Sequence, residues 1–188
     1  MLDLDLLLDR CRQGDDLAWE ALVRRFQGRV FGLALHYLRD RDEARDAAQD
    51  TFLKVYRHLD RLTDGESFVP WLLRLARNSA IDRQRRAKVR RPPAEAPPEA
   101  AAEVPDRGAS AEEALLAGAR QALVYRALGH LSEINREMIL LKDIQELKLE
   151  EISELLGVPM GTVKSRTNRA RLELARAVRR LDPSYGTP

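Results

Sequence analysis

The 188-residue chain has few aromatic side chains (5%), a single cysteine and no long apolar run. Because a membrane-spanning helix needs about 18 or more consecutive apolar residues, the sequence predicts no transmembrane segment. The amino terminus, MLDLDLLLDR, carries acids where a secretory signal carries bases, so we expect a cytoplasmic protein. Cys11 can form no internal disulfide and has no neighbouring Cys or His for a zinc site, which favours a buried structural thiol.

The sequence also lacks the residue patterns of catalysis. The three histidines, His36, His58 and His130, are scattered along the chain. They form no Ser/His/Asp or metal-ligand spacing, and no glycine-rich phosphate loop is present. We therefore expect no enzymatic activity, no bound metal and no cofactor.

The formal net charge of only +2 hides a strong segregation of charge along the chain. Residues 83–91 contain six bases and no acid, and residues 160–181 contain seven bases and one acid. Between them, residues 92–113 contain six acids and one base. Two basic segments of this kind indicate nucleic-acid contacts, and the acidic stretch between them keeps the net charge of the whole chain small.

The chain has two regions with apolar residues at helical spacing, separated by a Pro/Ala/Glu-rich stretch at 92–110. That stretch has almost no large apolar side chain and cannot compensate the entropy of ordering, so we predict a linker. The sequence thus predicts an all-α protein. Its two small helical domains would span residues 1–91 and 111–182, followed by a tail at 183–188.

Helical spacing and capping signals place the individual helices. Ser67 and Ser132 are the predicted caps of the helices that follow them, because a serine oxygen can accept from a first-turn N–H. The buried face of the helix after Ser67 is predicted to be Phe68, Trp71, Leu72, Leu75 and Ser79. The predicted helices span about 3–11, 15–38, 41–59, 67 onward, 111–128, 132–142, 149–156 and 160–181.

Residues 149–172, LEEISELLGVPMGTVKSRTNRARL, have the pattern of a helix-turn-helix motif. Gly157 can adopt the left-handed conformation that the turn needs, and Pro159 prevents continuation of the first helix. Val163, Thr167, Ala170 and Leu174 would form the buried stripe of the second helix. The outward positions carry Thr, Lys, Ser, Arg and Asn, the residue types that bind bases and phosphates.

The motif GVPMGTVKSRTNRARLEL resembles the carboxy-terminal promoter-binding region of bacterial sigma factors, in particular the short extracytoplasmic-function type of the sigma-70 family. In the other half, DEARDAAQDTFLKVYRHL resembles the region 2 helix of that family, which docks on the clamp coiled coil of RNA polymerase. SFVPWLLRLARNSAIDRQRR resembles the helix that melts and grips the minus-ten element. These likenesses cover both predicted domains and leave the linker unmatched.

The resemblance implies a promoter-specificity subunit that binds core RNA polymerase, through its clamp coiled coil and flap, and directs initiation at a set of promoters. It also implies an anti-sigma protein as a further partner, and no membrane insertion. The alternative from the residues alone is a stand-alone two-domain helix-turn-helix transcriptional regulator. That class would dimerise and bind a palindrome unaided, whereas a sigma factor would need core polymerase.

The resemblance and the helical spacing together predict three sets of site residues. The predicted minus-thirty-five set is Gly161, Thr162, Lys164, Ser165, Arg166, Asn168, Arg169 and Arg171. The predicted minus-ten set is Thr63, Asp64, Gly65, Glu66, Ser67, Arg74, Arg77, Asn78, Arg83, Arg85 and Arg86. The predicted polymerase-binding set is Asp46, Gln49, Asp50, Phe52 and Leu53.

Overall fold

The computed structural model describes residues 3–62, 67–90 and 121–185, with the side chains of 87–90 excepted. Within these residues the regular structure is entirely helical, which confirms the predicted all-α fold. No helix among them is both long enough and apolar enough to cross a membrane. The chain divides into two compact units, Met1–Ala96 and Pro97–Pro188.

In the amino-terminal unit, the starts of the second and third helices follow from local capping. The side chain of Asp15 accepts hydrogen bonds from the N–H groups of Leu17 and Ala18 and so caps the second helix. Asp40 caps the third helix in the same way, through Asp42 and Glu43. The helices are α1 (Leu4–Arg12), α2 (Asp16–Leu38), α3 (Arg41–His58) and α4 (Phe68–Arg90), with a 3-10 turn at Leu59–Arg61.

Helices α2, α3 and α4 pack against one another around a shared apolar core. Leu22, Leu33, Val55 and Leu72 are fully buried in it. Cys11 is also buried, as the sequence predicts, and this burial raises the pKa of its thiol above the ordinary value.

The buried face of α4 differs in part from the predicted one. Phe68, Leu72 and Ser79 are buried as expected, but Trp71 and Leu75 are only half-buried. Among the described side chains of this helix, the other buried ones are Pro70, Leu73, Ala76 and Ala80. The predicted buried face is therefore displaced by about one residue from the observed one. The reason is that α4 packs on two neighbours, α2 and α3, and buries a wider part of its surface than one neighbour would cover.

The carboxy-terminal unit contains shorter helices. Ser132 accepts from the N–H of Asn135 at 3.3 Å, which confirms it as a helix cap. The helix predicted to reach residue 142 leaves the α conformation earlier, since Leu140–Ile144 form a π-helical turn. The helices are α5 (described over 121–129), α6 (Glu133–Ile139), α7 (Leu149–Leu156) and α8 (Met160–Leu181). The predicted part of α5 at 111–120 lies outside the described residues.

The core of this unit forms where α6 and α7 pack on α8. Met138, Leu141, Ile152 and Val163 are fully buried there. Lys148 precedes α7, and its N–H donates to the carboxylate of Glu151 at 2.6 Å. A lysine side chain cannot accept a bond in return, so α7 begins with only half of a capping box.

Candidate nucleic-acid and protein interfaces

The turn between α7 and α8 has the geometry that the sequence predicts. Gly157 is left-handed, with φ 65° and ψ 34°, and its N–H donates to the carbonyl of Ser153. The Ser153 hydroxyl donates to the carbonyl of Val158 at 2.6 Å, which fixes the chain as it leaves the turn. Pro159 immediately precedes α8, so the second helix starts in a new direction.

One stripe of α8 packs into the core of the unit. Val163, Thr167 and Ala170 are buried, and Leu174 is half-buried. The Thr167 hydroxyl donates to the carbonyl of Val163 at 2.8 Å, which satisfies its polar atom inside the core. The positions between these residues must therefore point away from the core.

Those outward positions carry the predicted minus-thirty-five set. Lys164, Ser165, Asn168 and Arg169 are exposed, as is Gly161, while Thr162 and Arg166 are half-buried. The first turns of α8 thus present donors and acceptors side by side on one face. Arginine can pair with guanine and asparagine with adenine in the DNA major groove, which is wide enough to admit an α-helix.

Arg171, the last member of that set, is held within the unit. Its Nε lies 3.2 Å from both carboxylate oxygens of Asp143, and its Nη2 also donates to this carboxylate. The hydrogen bonds with Asp143 raise the pKa of the Arg171 guanidinium. Asp143 lies in the π-helical turn, and no pattern in the sequence indicated this pairing.

The predicted polymerase-binding set lies on α3. Asp46 and Asp50 are partly exposed, at 60% and 48% of their side-chain area, and Leu53 is exposed as well. Gln49 is exposed and Phe52 is half-buried. Helical spacing therefore brings the five residues to one side of the unit, with the two carboxylates next to an amide and two apolar groups.

A shallow groove of about 490 Å³ runs beside these residues, between α2 and α3. The Trp19 and Tyr56 rings lie 4.9 Å apart in it, and Trp19 Nε1 donates to the carbonyl of Cys11 at 3.1 Å. Sequence reasoning missed both aromatic residues, although Tyr56 follows Leu53 and Phe52 at helical spacing. The lining residues are Asp16, Trp19, Glu20, Val23, Arg24, Gln27, Gln49, Phe52, Leu53 and Tyr56.

The predicted minus-ten set is only partly described. Thr63, Asp64, Gly65 and Glu66 lie outside the described residues, and Ser67 is exposed. On α4, Asn78, Arg85 and Arg86 are exposed, whereas Arg74 and Arg77 are half-buried. Arg77 donates to the Tyr37 hydroxyl at 2.8 Å and lies over its ring.

Arg83 differs from the other arginines of that set, because its guanidinium turns toward α3. Its Nη1 lies 2.9 Å from Glu43 and 3.4 Å from Asp46, and its Nη2 lies 2.9 Å from Asp50. Only 25% of its side chain is exposed. Partial burial lowers the pKa of Arg83, but the hydrogen bonds with Asp50 and Glu43 more than offset this, so its pKa is raised.

Comparison with known families matches both units. Residues 22–90 match the family model of sigma-70 region 2, and residues 121–174 match that of sigma-70 region 4. The RNA polymerase sigma-H factor of Pseudomonas aeruginosa is 33% identical over 181 residues, 93% of each chain. The ECF RNA polymerase sigma-E factor of Haemophilus influenzae is 34% identical over 171 residues, 88% of this chain and 89% of the other.

Solved structures show the same architecture. CnrH, in complex with the cytosolic domain of CnrY, superposes with a TM-score of 0.60 at 26% identity over 91% of this chain and 94% of CnrH. The sigma factor RpoE of Bartonella quintana, in complex with the anti-sigma factor NepR, superposes with a TM-score of 0.66. That second likeness covers 85% of this chain and 96% of the other at 23% identity, and it concerns the fold alone.

Proposed function

Because the chain belongs to the extracytoplasmic-function sigma factors of the sigma-70 family, we propose that α3 docks on core RNA polymerase and that α8 reads promoter DNA. The chain is a promoter-specificity subunit of RNA polymerase and directs transcription initiation. We therefore prefer this function to that of a stand-alone helix-turn-helix regulator. Sigma factors are transcription initiation factors, and we infer that this chain catalyses no reaction by itself.

The observation that carries the DNA-binding proposal is the exposure pattern of α8. Val163, Thr167 and Ala170 are buried, while Ser165, Asn168 and Arg169 beside them are exposed. We propose that these three exposed side chains meet base edges of the minus-thirty-five element in the major groove. Lys164 and Arg166 would bind phosphates, which positions the helix without reading sequence.

Substitution of Arg169 tests this assignment. Arg169→Ala is expected to cost about 1 to 3 kcal/mol at one base position and to relax specificity there, because a bidentate contact to one base is lost. Lys164→Ala is the matched control, with a similar weakening on all sequences and a smaller salt dependence. The measurement is holoenzyme binding to promoters substituted at each minus-thirty-five position. Uniform weakening by Arg169→Ala would assign that side chain to the backbone instead.

For the minus-ten element, we propose contacts along the exposed side of α4. Asn78 would hydrogen-bond a base of the opened strand, and Arg74, Arg77, Arg85 and Arg86 would follow its phosphates. These contacts would help to offset the unstacking of a flipped base, which costs a few kcal/mol. Asn78→Ala in the holoenzyme should reduce opening of the promoter more than it reduces duplex binding.

For the protein partners, we propose that the clamp coiled coil of core polymerase binds the α3 face and that the flap binds the carboxy-terminal unit. CnrH is bound by the cytosolic domain of CnrY, which supports a proposal that an anti-sigma protein covers surfaces of this chain as well. We also place the protein in the cytoplasm, where it would meet RNA polymerase.

In vitro transcription with purified core polymerase is the test of the proposed function as a whole. Transcripts from a set of genomic promoters should depend on both the chain and the core enzyme. A gel shift without core enzyme should show little specific binding, since both promoter elements must be engaged at once. Specific binding of a palindrome by the chain alone, with no dependent transcript, would instead support the stand-alone regulator.

A further inference from the structure

Arg83 joins two surfaces to which the proposed function gives different partners. It belongs to α4, five residues beyond Asn78, on the helix proposed to bind the minus-ten element. Its guanidinium nevertheless bonds α3, where Asp46 and Asp50 form part of the proposed polymerase-binding set. The contacts span 33 to 40 positions of sequence, so they exist only in the folded unit.

The three carboxylates around Arg83 need a countercharge. Glu43, Asp46 and Asp50 follow one another at spacings of three and four on α3, so their charges repel along one helix face. A planar guanidinium with five N–H donors can bind several carboxylates at once, which a lysine ammonium does less well. Arg83 therefore lets this part of α3 hold three acidic side chains close together.

The contacts leave the carboxylates usable by a partner. Arg83 bonds one oxygen of each acid: Oε2 of Glu43, Oδ2 of Asp46 and Oδ2 of Asp50. The side chains of these acids remain 48% to 60% exposed. A carboxylate has about four lone-pair sites, so an incoming basic group can still be accepted while Arg83 stays in place.

We propose that Arg83 is a positioning residue for polymerase docking: it orients the Asp46 and Asp50 carboxylates toward core polymerase and does not contact promoter phosphates. The inference rests on the proposed docking face of α3. A side chain that is only 25% exposed and bonded to three acids would have to abandon them to reach a phosphate. Three adjacent carboxylates on one helix face would then repel one another without their countercharge.

The test compares binding of full-length variants to core polymerase. Arg83→Gln should weaken core binding by about tenfold, the scale of coupling within one ion-pair network. Arg83→Lys should restore part of the affinity, because it keeps the charge but loses the fork. Arg12→Gln is the matched control: it removes an ion pair with Asp9 on α1, which contributes no residue to the proposed docking set, and should leave core affinity unchanged.

Two further variants separate orientation from a general loss of folding. Glu43→Gln removes one partner of Arg83 without altering the proposed docking set, and it should weaken core binding less than Arg83→Gln. Combined with Asp50→Asn, Arg83→Gln should add a smaller loss than it causes alone, since both changes break the same contact and, within the proposed docking set, only the bond to Asp46 is still lost anew. Thermal unfolding of each variant is measured alongside its affinity for core polymerase. The proposal requires that Arg83→Lys or Glu43→Gln lose affinity while its melting temperature stays the same as that of the wild type.

Promoter binding by the preassembled holoenzyme tests the alternative role of Arg83, which is a contact to promoter phosphates. Arg85→Gln, at an exposed position of the proposed phosphate set, should weaken promoter binding, whereas Arg83→Gln should not. If Arg83→Gln leaves core affinity unchanged while Asp46→Ala and Asp50→Ala lower it, the docking face stands and the role of Arg83 is overturned. If neither Asp46→Ala nor Asp50→Ala lowers core affinity, the proposed docking face fails, and the inference fails with it.

Discussion

The two units each hold an arginine against acids from a neighbouring element, but to different extents. In the amino-terminal unit, Arg83 is 25% exposed and bonds three carboxylates of α3. In the carboxy-terminal unit, Arg171 is 52% exposed and bonds Asp143. The acidic face proposed for a protein partner thus contains its own countercharge. The basic face of α8 instead leaves Lys164 and Arg169 exposed, as a surface for DNA requires.

The largest expected effect tests whether each unit rests on a core of its own. Leu33 lies on α2 and is fully buried, so Leu33→Ala should lower the free energy of unfolding of the amino-terminal unit by about 2 to 5 kcal/mol. Leu17→Ala, at a side chain that is 72% exposed, is the control and should change it by less than about 0.5 kcal/mol. Hydrogen exchange resolved by residue is the measurement. Equal loss of protection in α8 would show that the units share one core.

The next effect concerns the turn that joins α7 and α8 in the carboxy-terminal unit. Gly157 has φ 65°, and no atom lies within 4 Å of the place that an alanine methyl group would take, so Gly157→Ala is opposed by backbone strain alone. The left-handed conformation should cost the alanine about 1 to 2 kcal/mol of folding free energy. Gly161→Ala, in the first turn of α8 with equally open space, should be neutral or stabilising in the same chemical denaturation. A similar loss of folding free energy in both variants would contradict the explanation by the left-handed conformation of Gly157.

The two units differ in whether the stability that a helix cap provides depends on pH. Hydrogen bonds from Arg10, Ala18 and Leu17 lower the pKa of Asp15 below its ordinary 3.8, so the stability from its charge is present above that pH. It is lost as the pH falls through the lower pKa of the folded state. Asp15→Asn keeps a capping oxygen but not the charge. The melting temperature of Asp15→Asn should lie below that of the wild type at neutral pH. The difference between the two melting temperatures should disappear in acid.

Ser132 provides the uncharged counterpart of that cap. Ser132→Ala should lower the free energy of unfolding by about 1 kcal/mol, because the Asn135 N–H loses its acceptor. The loss should be the same at neutral and acid pH, since a serine hydroxyl does not titrate in this range. Melting curves recorded over the same pH series check it. A gap for Ser132→Ala that closed in acid would remove the contrast between the two caps.

The smallest effect concerns Arg171 and its partner. Asp143→Asn should lower the free energy of unfolding by no more than about 1 kcal/mol, because the pair is partly exposed and screened by solvent. Salt should reduce the difference further. The measurement is chemical denaturation at low and high ionic strength. A larger, salt-independent loss would make the Arg171 pair a structural contact comparable to Arg83.

Much of the carboxy-terminal motif could be predicted from the sequence. The bounds of α7 and α8 agree with the prediction to the residue, because Gly157 and Pro159 mark the turn through their own backbone preferences. The buried stripe through Val163, Thr167 and Ala170 follows from helical spacing alone. The roles of the exposed residues beside it remain predictions.

Other features could not be predicted, and each depends on a contact between elements. The π-helical turn at Leu140–Ile144 has a sequence that also suits an α-helix, so local preference does not distinguish the two. The buried face of α4 shifted from Trp71 and Leu75 toward Leu73 and Ala76, because two helices pack on it. The Trp19–Tyr56 pair joins α2 and α3, which no spacing within one helix reveals.

The sequence by itself determined the all-α class, the helix-turn-helix and the separation of acidic from basic segments. These depend on periodicity, turn residues and charge, which act over a few neighbouring residues. Only the tertiary structure decided that Arg83 forms ion pairs with the acids of α3 and that Arg171 forms one with Asp143. Which charges meet depends on where helices far apart in sequence cross, because an ion pair forms only within about 4 Å.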